Sequence, residues 1–507
     1  MTQTSLLIRG ARLVPVGGVP APRDGGPLDV RVVGGRVTDV ATGLRAESAD
    51  EVLEADGRWL MPGLWDQHVH FGQWAASASR LDLSGTESAD EVVRCVAAEV
   101  DARAGGAPGT VLQAYGHRTG AWSRQPTVAE LDAVTGDLPV VLISGDAHHG
   151  WLNSAALRLL DLSLRDTVVE ENEWFASFAR LEEVTRSMQD RRTAYAKALD
   201  AALRRGVVGV AEMEWADNAD EWVERSASGL APLRVRTATY AVGLAETIAA
   251  GRRTGQVLDE AGLVTMGPLK IISDGSLNTR TAWCHEPYVG GEELDAPRGR
   301  PNNSPAELVE LLATATAHGL DVAVHAIGDA AVDSALDAFS HTGARGSIEH
   351  AQLVAAGAVD RMARLGVVAS VQPSHLLDDR DVTQQCWPDR ADRCFPLRSM
   401  LDAGVRLALG SDAPVAPLDP WESMAAAVHR SADEREPWNV AESLTVAEAL
   451  AASTDGASTV AAGSRGDLLL VDEDPFAAGD AGPAAAGHLR AVTVAATIVN
   501  GVVRHRA

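Results

Sequence analysis

The sequence predicts an α/β fold, a (β/α)8 TIM barrel with an inserted segment, together with a small β-sandwich domain built from both chain termini. Two observations favour this fold. Short apolar strands alternate with amphipathic helices through the middle of the 507-residue chain, and both ends consist of short strands joined by glycine turns. A doubly wound sheet is the alternative for the same alternation. The length suits two or three domains.

The two chain ends have the same kind of pattern. Residues 1–60 contain runs such as SLLIRGARLVPV and LDVRVVGGRVTDV, and residues 461–507 contain RGDLLLVDEDP and AVTVAATIVNGVVRH. Gly-Gly and Asn-Gly between alternating apolar runs are typical of β-hairpins. Neither end has enough strands for a core of its own, so we predict that the two ends together form one sandwich.

Residues 61–460 are predicted to form the barrel. Its first strand is MPGLWDQHVHF (61–71), and similar apolar runs follow at 206–213, 233–240, 267–273, 320–326, 346–351, 366–372 and 404–412. Amphipathic helical patterns lie between later strands, at 305–319 and 329–343. Residues from about 75 to 190 do not follow this period, and we predict that they form an insertion at the barrel mouth.

Composition excludes several functional classes. The formal net charge of −26 argues against binding to nucleic acid or to anionic membranes, both of which require basic patches. The sequence contains neither a run of about 18 apolar residues nor the basic start of a signal peptide. The spacing of the four cysteines matches no zinc or redox motif, so we interpret them as reduced thiols. We expect a cytoplasmic protein with a small-molecule substrate, and leave a homodimer open.

Ligand-type side chains stand at the carboxyl ends of the predicted strands, where the active sites of such barrels lie. The i, i+2 spacing of His68 and His70 directs both imidazoles to the same side of a strand, as a metal pair requires. Each residue alone has an ordinary structural explanation. Their convergence on one barrel mouth predicts a metal site, for which the candidates are His68, His70, Lys270, His325, His350 and Asp412.

Lys270 is one of only two lysines in the chain, and it lies between Leu269 and Ile271 in a run that resembles a buried strand. A buried ammonium costs several kcal/mol unless it is paired or loses its charge. From the residues alone, an ion pair with Asp412 or another carboxylate is one explanation, and a Schiff-base role is a second.

These motifs resemble those of the amidohydrolase superfamily, and more narrowly the branch that contains the N-substituted formamide deformylases. The resemblance runs nearly from end to end and rests on PGLWDQHVH, DAHHGWLNSAAL, LKIISDGSLNTRTA, VHAIGDAAVD, IEHAQLV and GSDAPV. It implies two divalent metal ions bridged by a carboxylated Lys270. Zinc is the first choice because imidazole and carboxylate ligands suit it, and iron and manganese are the alternatives.

The resemblance also implies the reaction, which is hydrolysis of a non-peptide C–N amide bond, for example in an N-substituted formamide. The histidines of the first strand hold the more buried metal with Asp412, and His325 and His350 hold the outer one. Carboxylated Lys270 and a hydroxide bridge the two metals. Asp412 acts as acid and base, so Asp412 and Lys270 are the implied catalytic residues.

Weaker candidates for substrate contact surround this centre. Asp146 and His148 belong to the insertion, and their alternative is a role in loop structure. Asp274 follows Lys270 and has an Asx-turn as its alternative. Trp74 and Trp122 are expected to close over an apolar substituent, with a place in the core as the alternative. Further histidines carry no assignment: His117, His149, His285, His375 and His429.

Three other functions compete with amide hydrolysis. A mononuclear deaminase of the same superfamily would have a glutamate shortly after the fifth-strand histidine, whereas Ala-Ile-Gly-Asp follows His325. A lactone or ester hydrolase would need the same hydroxide, so the sequence does not separate it from an amidase. A catalytically inactive binding barrel is disfavoured because every ligand position is retained.

Overall fold

The computed structural model describes residues 5–21, 26–77, 80–102, 111–185, 191–215, 218–292 and 294–507. Its strands in chain order are β1 (Ser5–Leu13), β2 (Leu28–Val33), β3 (Arg36–Ala41), β4 (Asp50–Glu54), β5 (Trp59–Pro62), β6 (Leu64–Val69), β7 (Leu81–Asp82), β8 (Leu112–His117), β9 (Val140–Ser144), β10 (His149–Leu152), β11 (Val169–Glu170), β12 (Val207–Glu212), β13 (Arg234–Thr239), β14 (Val264–Ile272), β15 (Val322–Ala326), β16 (Gly346–His350), β17 (Val368–Val371), β18 (Leu407–Leu409), β19 (Leu468–Val471), β20 (Val494–Val499) and β21 (Val502–Arg506).

The helices are numbered in the same way. They are α1 (Phe71–Ser77), α2 (Ala89–Ala102), α3 (Val128–Thr135), α4 (Ser154–Leu159), α5 (Glu171–Thr185), α6 (Arg191–Arg204), α7 (Ala219–Ala227), α8 (Leu244–Ala249), α9 (Pro305–Ala317), α10 (Asp329–Thr342), α11 (Ala358–Leu365), α12 (His375–Cys386), α13 (Leu397–Asp402), α14 (Pro420–His429), α15 (Val446–Ala452) and α16 (Gly482–Ala491). Every helix in the described ranges is too short or too polar to cross a membrane.

The central sheet of the described chain is an eight-stranded parallel barrel. Its order is β6-β12-β13-β14-β15-β16-β17-β18, and a parallel bridge between Val69 and Ala413 joins the last strand's end to the first. Most residues of its strands are buried, as expected for parallel strands with helices outside them. This confirms the predicted (β/α)8 barrel.

Both chain ends contribute to a second sheet. Its order is β21-β20-β19-β5-β1-β2-β3, and β4 pairs with β1. Leu6 and Ile8 from the N-terminal part pack with Leu468 and Ile498 from the C-terminal part in one apolar cluster. The strands of either end alone would leave one face exposed, and packing the two ends together buries that face. The prediction that both chain ends build this domain is thereby confirmed.

The segment between α1 and α6 forms its own five-stranded sheet, in the order β11-β10-β9-β8-β7. Its core includes Leu142, Trp151 and Leu157, all fully buried. The loop between β9 and β10 reaches the carboxyl ends of the barrel strands, since Asp146 Oδ2 accepts a hydrogen bond from Ser276 Oγ at 2.6 Å. The insertion therefore forms part of the barrel mouth.

A glycine sets how closely the first and last barrel strands meet. A Cβ atom on Gly410 would lie 2.7 Å from the backbone nitrogen of His68 and 3.1 Å from Asp66 Oδ1. Asp66 Oδ1 in turn accepts hydrogen bonds from the backbone N–H groups of His68 and Ser411. Close approach at Gly410 brings the ends of β6 and β18, and hence His68 and Asp412, to one place.

Candidate metal centre

The first group of candidate ligands lies at the carboxyl ends of the first and last barrel strands, β6 and β18. His68 Nε2 lies 3.5 Å and His70 Nε2 lies 3.4 Å from Asp412 Oδ1. The Asp412 backbone N–H donates to the His68 carbonyl oxygen at 2.7 Å, which holds the two strand ends together. One ligand atom from each residue falls within 4.8 Å of the others. This spacing suits a single bound cation.

A second group uses the other oxygen of the same carboxylate. His350, His375 and Asp412 also offer ligand atoms within 4.8 Å of one another, and His375 Nε2 lies 3.9 Å from Asp412 Oδ2. The rings of His350 and His375 stack at 6.0 Å with an interplanar angle of 17°. His375 opens α12, four residues beyond the end of β17. β17 is one of three barrel strands, with β12 and β13, to which sequence analysis assigned no ligand. A histidine soon after the end of such a strand was the available signal.

Lys270 and Glu349 each contact a different ring nitrogen of His68. Lys270 Nζ lies 3.1 Å from His68 Nε2, and Glu349 Oε2 lies 2.6 Å from His68 Nδ1. A carboxylate on one imidazole nitrogen fixes the ring so that the other nitrogen faces the metal position. Sequence analysis missed Glu349, although a glutamate next to Ile348 within a predicted barrel strand was a signal for an internal role.

Burial lowers the pKa of Lys270, against the opposing charges of Glu349 and Asp412. Burial also lowers the pKa of His68, and the nearby Lys270 adds to that effect. Both shifts favour uncharged nitrogen atoms. A neutral imidazole is the form that binds a metal ion.

His325 lies beside this centre in a different orientation. Its ring centroid is 4.6 Å from that of His350. Its Nε2 lies 3.3 Å from the Gly275 carbonyl oxygen and 3.5 Å from Asp274 Oδ1, so this nitrogen faces the loop after β14. Nδ1 is therefore the nitrogen that remains for a ligand. His325 belongs to neither of the two close groups.

The donor set fits a divalent cation. Two buried ring nitrogens at this centre, His350 Nδ1 and His375 Nε2, have no hydrogen-bond partner in the described part of the chain. His70 Nδ1 is also unpaired, but Nε2 is the His70 nitrogen that faces Asp412. An unpaired buried polar atom costs about 1–3 kcal/mol, which a bound cation can offset at nitrogens that face it. Imidazole with carboxylate is a ligand set that zinc and similar ions accept.

Asp412 is an anion in these surroundings. Burial raises the pKa of a carboxyl group, but His68, His70 and His350 outweigh burial and hold the pKa of Asp412 well below its usual range. Its backbone has φ of 58°, and His350 has φ of 70°. Such left-handed backbone costs non-glycine residues about 1–3 kcal/mol and is found most often at functional sites.

Polar side chains line the pocket that opens over the ligand groups. The insertion supplies Arg118, Asp146 and His148 to this pocket, and the barrel loops supply Asn278 and Asp379 among others. Arg118 donates to Asp378 Oδ2 at 3.0 Å, and Asn278 donates to Asp379 Oδ1 at 3.3 Å. The insertion and the barrel thus both contribute to the lining of this pocket.

The two acidic substrate candidates have anchoring contacts. Asp146 Oδ1 accepts hydrogen bonds from Ser144 Oγ at 2.6 Å and from the His148 backbone at 3.2 Å. Asp274 accepts three backbone hydrogen bonds, from Trp283, Ile327 and Gly328. Burial raises the pKa of Asp274 to about 7, against these hydrogen bonds. Asp274 thus ties two loops together beneath His325.

The candidate His148 faces the pocket and pairs with a carboxylate. Its Nδ1 lies 3.0 Å from Glu171 Oε2. Burial lowers the pKa of His148, but Glu171 and Asp146 outweigh it and raise that pKa to about 9.

The two tryptophan candidates pack against other aromatic rings. Trp74 meets Phe71 edge to face at 5.2 Å, and Trp122 lies 6.5 Å from Trp151 in the core of the insertion. The aromatic side chains that lie beside the candidate ligand His70 are Trp215 and Phe175. Trp215 stacks on His70 at 5.7 Å, and Phe175 of α5 stacks on Trp215 at 4.3 Å.

Comparison with known proteins agrees with this geometry. The model of the amidohydrolase family matches residues 51–505. The chain is 31% identical over 448 residues to Protein LONG AFTER FAR-RED 3 of Arabidopsis thaliana, covering 81% of this chain and 75% of that one. It is 28% identical over 535 residues to the N-substituted formamide deformylase of Arthrobacter pascens, covering 94% of each.

A solved structure shares the architecture over nearly the whole length. It is an uncharacterized metal-dependent hydrolase from Pyrococcus furiosus, with a TM-score of 0.70 and 26% identity, covering 93% of this chain and 99% of that one. The superfamily resemblance inferred from the motifs is thereby confirmed. The chain belongs to the amidohydrolase family and is a metal-dependent hydrolase that acts on carbon–nitrogen bonds other than peptide bonds.

Proposed function

We propose that the protein hydrolyses a neutral non-peptide amide at a centre of two divalent metal ions, with zinc as the first choice. The observation that carries this proposal is the position of Asp412, which belongs to both histidine groups, with Oδ1 near His68 and His70 and Oδ2 near His375. One ion would be held by His68 and His70 with Asp412. The other would be held by His350 with His325, and His375 is a further donor within reach.

Metal ions in such a centre supply Lewis acidity and lower the pKa of water, so that a nucleophile is available near neutral pH. The protein's own part is proton transfer and orientation. Asp412 is an anion, so it can take a proton at its carboxylate and return it to the leaving nitrogen. Glu349 holds His68 at Nδ1 and leaves Nε2 directed inward.

We further propose that Lys270 is carboxylated. As an amine, Lys270 Nζ lies 3.1 Å from His68 Nε2, the nitrogen that is needed as a ligand. Burial favours the uncharged amine, whose lone pair can attack CO₂ to form a new N–C bond with release of a proton. The resulting carbamate is an anion suited to bridging two cations, and it removes the cost of a buried ammonium.

The aromatic side chains beside His70 support an apolar substituent on the amide nitrogen. Phe175 and Trp215 are each only partly buried, and they stack next to a candidate ligand. The deformylase of Arthrobacter pascens, by its name, acts on N-substituted formamides. We therefore propose an amide with a small acyl group and an apolar N-substituent.

The four cysteines are free thiols, which suit a reducing compartment, so we propose that the enzyme is cytoplasmic.

The metal content tests the two-ion proposal. We expect purified protein to hold about two divalent ions per chain, because the ligand groups fill two sites, and a chelator should abolish activity. Elemental analysis of the wild type, His325→Ala and His375→Ala measures this, and the variant that loses an ion identifies the ligand. A content that stays at one ion after supplementation with zinc or manganese would contradict the proposal.

A substrate panel tests the proposed reaction. Neutral amides with a formyl or acetyl group and a benzyl-like N-substituent should have a higher kcat/KM than the same amides with a charged N-substituent, because Phe175 and Trp215 offer apolar surface. Replacing Phe175 by alanine should raise KM for the apolar series by roughly 10-fold, as loss of aromatic contact allows. Deamination of purines or pyrimidines alone would favour the competing deaminase hypothesis.

A further inference from the structure

The insertion places one histidine against the metal centre from outside the barrel. His148 lies in the loop between β9 and β10 and lines the pocket that also contains His325, His350 and Asp412. Its ring centroid is 5.4 Å from that of His325. The proposed metal ligation and proton transfer give His148 no role, although it borders the space where the substrate must lie.

A carboxylate fixes the orientation of this ring. Glu171 Oε2 lies 3.0 Å from His148 Nδ1. The other oxygen, Oε1, accepts hydrogen bonds from Thr281 Oγ1 at 2.6 Å and Thr279 Oγ1 at 3.1 Å, both in the loop after β14. Glu171 thus joins the insertion to the barrel. Because Nδ1 is engaged, Nε2 is the His148 nitrogen left for the pocket.

The backbone on both sides of this contact is held in an unfavourable conformation. Ala147 has φ of 59° and Glu171 has φ of 51°. Such a conformation is unfavourable for a residue with a side chain and persists only where the surrounding structure imposes it. A backbone hydrogen bond from Glu171 N–H to the His148 carbonyl oxygen, at 2.9 Å, adds a second tie between the two residues.

The neighbouring histidine shows that this orientation is specific to His148. His149 has its Nε2 3.5 Å from Thr119 Oγ1 and its ring 5.1 Å from that of His117, within the insertion. It does not line the pocket over the metal ligands. Of two adjacent imidazoles, the loop therefore turns only His148 toward the reaction site.

We propose that His148 is a further catalytic residue, whose Nε2 hydrogen-bonds to the scissile amide group, and that Glu171 is its positioning residue. The inference rests on the proposed hydrolysis of an amide at this site. A ring already fixed by a carboxylate needs no reorganisation when charge develops on the substrate, which is the condition under which such a contact accelerates a reaction. The barrel then supplies the metal ligands, and the insertion supplies a contact to the substrate.

The test compares kinetics with metal content in the holoenzyme. His148→Ala should lower kcat by about 10²–10³-fold, the effect of losing one positioned hydrogen-bond partner, while metal content stays at the wild-type value. Added imidazole should restore part of the rate.

Glu171→Gln should lower kcat and change KM by less than about threefold. It should have no further effect on kcat in the His148→Ala background. Glu170→Gln, at the adjacent exposed carboxylate, is the control and should resemble the wild type.

Two results would overturn the inference. One is a His148→Ala variant whose kcat stays within about threefold of wild type, or whose loss of rate follows a loss of metal. The other is a double variant in which the fold-losses of kcat caused by Glu171→Gln and by His148→Ala multiply. Independent effects of this kind would show that Glu171 acts through structure alone and not through His148. The variants are assayed on whichever acyl compound the wild type hydrolyses. If the wild type hydrolyses esters but no amide, the proposed function is refuted. The His148 and Glu171 variants are then compared with the wild type on the ester.

Discussion

Asp412→Asn should lower kcat by about 10²–10⁴-fold, the range typical of lost acid–base catalysis, with further loss from weakened metal binding. Among the described residues, the Asp412 carboxylate is the member common to both candidate ligand groups, at 3.4 Å from His70 Nε2 and 3.9 Å from His375 Nε2. An amide has a similar shape but cannot take up a proton under these conditions. Steady-state kinetics together with elemental analysis measures both effects.

The matched control is Asp402→Asn, at an exposed carboxylate that ends α13 shortly before β18. It should keep wild-type kinetics, because Asp402 is exposed and its carboxylate pairs with Arg398, at 3.2 Å, away from the candidate ligands. Near-native turnover of Asp412→Asn at full metal content would remove Asp412 from proton transfer and leave it as a ligand only.

Lys270→Ala should lose most of the bound metal and nearly all activity, because it removes the proposed bridging anion. A small carboxylate such as acetate or formate fits the space left by the side chain and should restore part of the rate. Lys270→Arg should not be rescued, since a guanidinium fills that space and keeps its positive charge. Lys197→Ala, at the chain's other lysine, is the control and should resemble the wild type, because Lys197 lies on the exposed face of α6.

The carbamate itself can be observed separately from activity. Reconstitution of the metal-free protein should be faster with added bicarbonate at mildly alkaline pH, where more of the amine is neutral and CO₂ is supplied. Growth on ¹³C-labelled bicarbonate should give one carbamate carbon signal in the wild type and none in Lys270→Ala. An unmodified amine at Lys270 in fully metallated, active protein would contradict carboxylation, and an ion pair would then have to explain the buried lysine.

The barrel could be predicted from sequence because its strands and helices have local, periodic signals. The run LKII predicts a strand, and β14 covers it; the pattern at 305–319 predicts a helix, and α9 spans Pro305–Ala317. Parallel strands of a barrel end at one mouth, so ligand-type residues at strand ends could be expected to converge. His68, His70 and Asp412 therefore meet, although more than 340 positions separate the first from the last.

Loop conformation decided the rest of the site, because no periodicity governs it. His375 lies beyond β17, and only the path of the chain from that strand into α12 brings it near Asp412. Glu349 could be recognised as a partner of His68 only once β16 and β6 were placed across the barrel.

The same reason explains the pocket residues. From the sequence, Asp146 and His148 of the insertion motif DAHHG were only candidates, with a role in loop structure as the alternative. In the structure His148 lines the pocket over the candidate ligands and His149 does not, and the residue before them, Ala147, has left-handed backbone. Trp215 and Phe175 come from distant segments, and only tertiary packing stacks them beside His70. The sequence by itself thus determined the barrel and its converging strand ends, because hydrophobic period and strand direction are local properties. Side-chain direction in loops depends on non-local contacts, so the tertiary structure decided which residues complete the site.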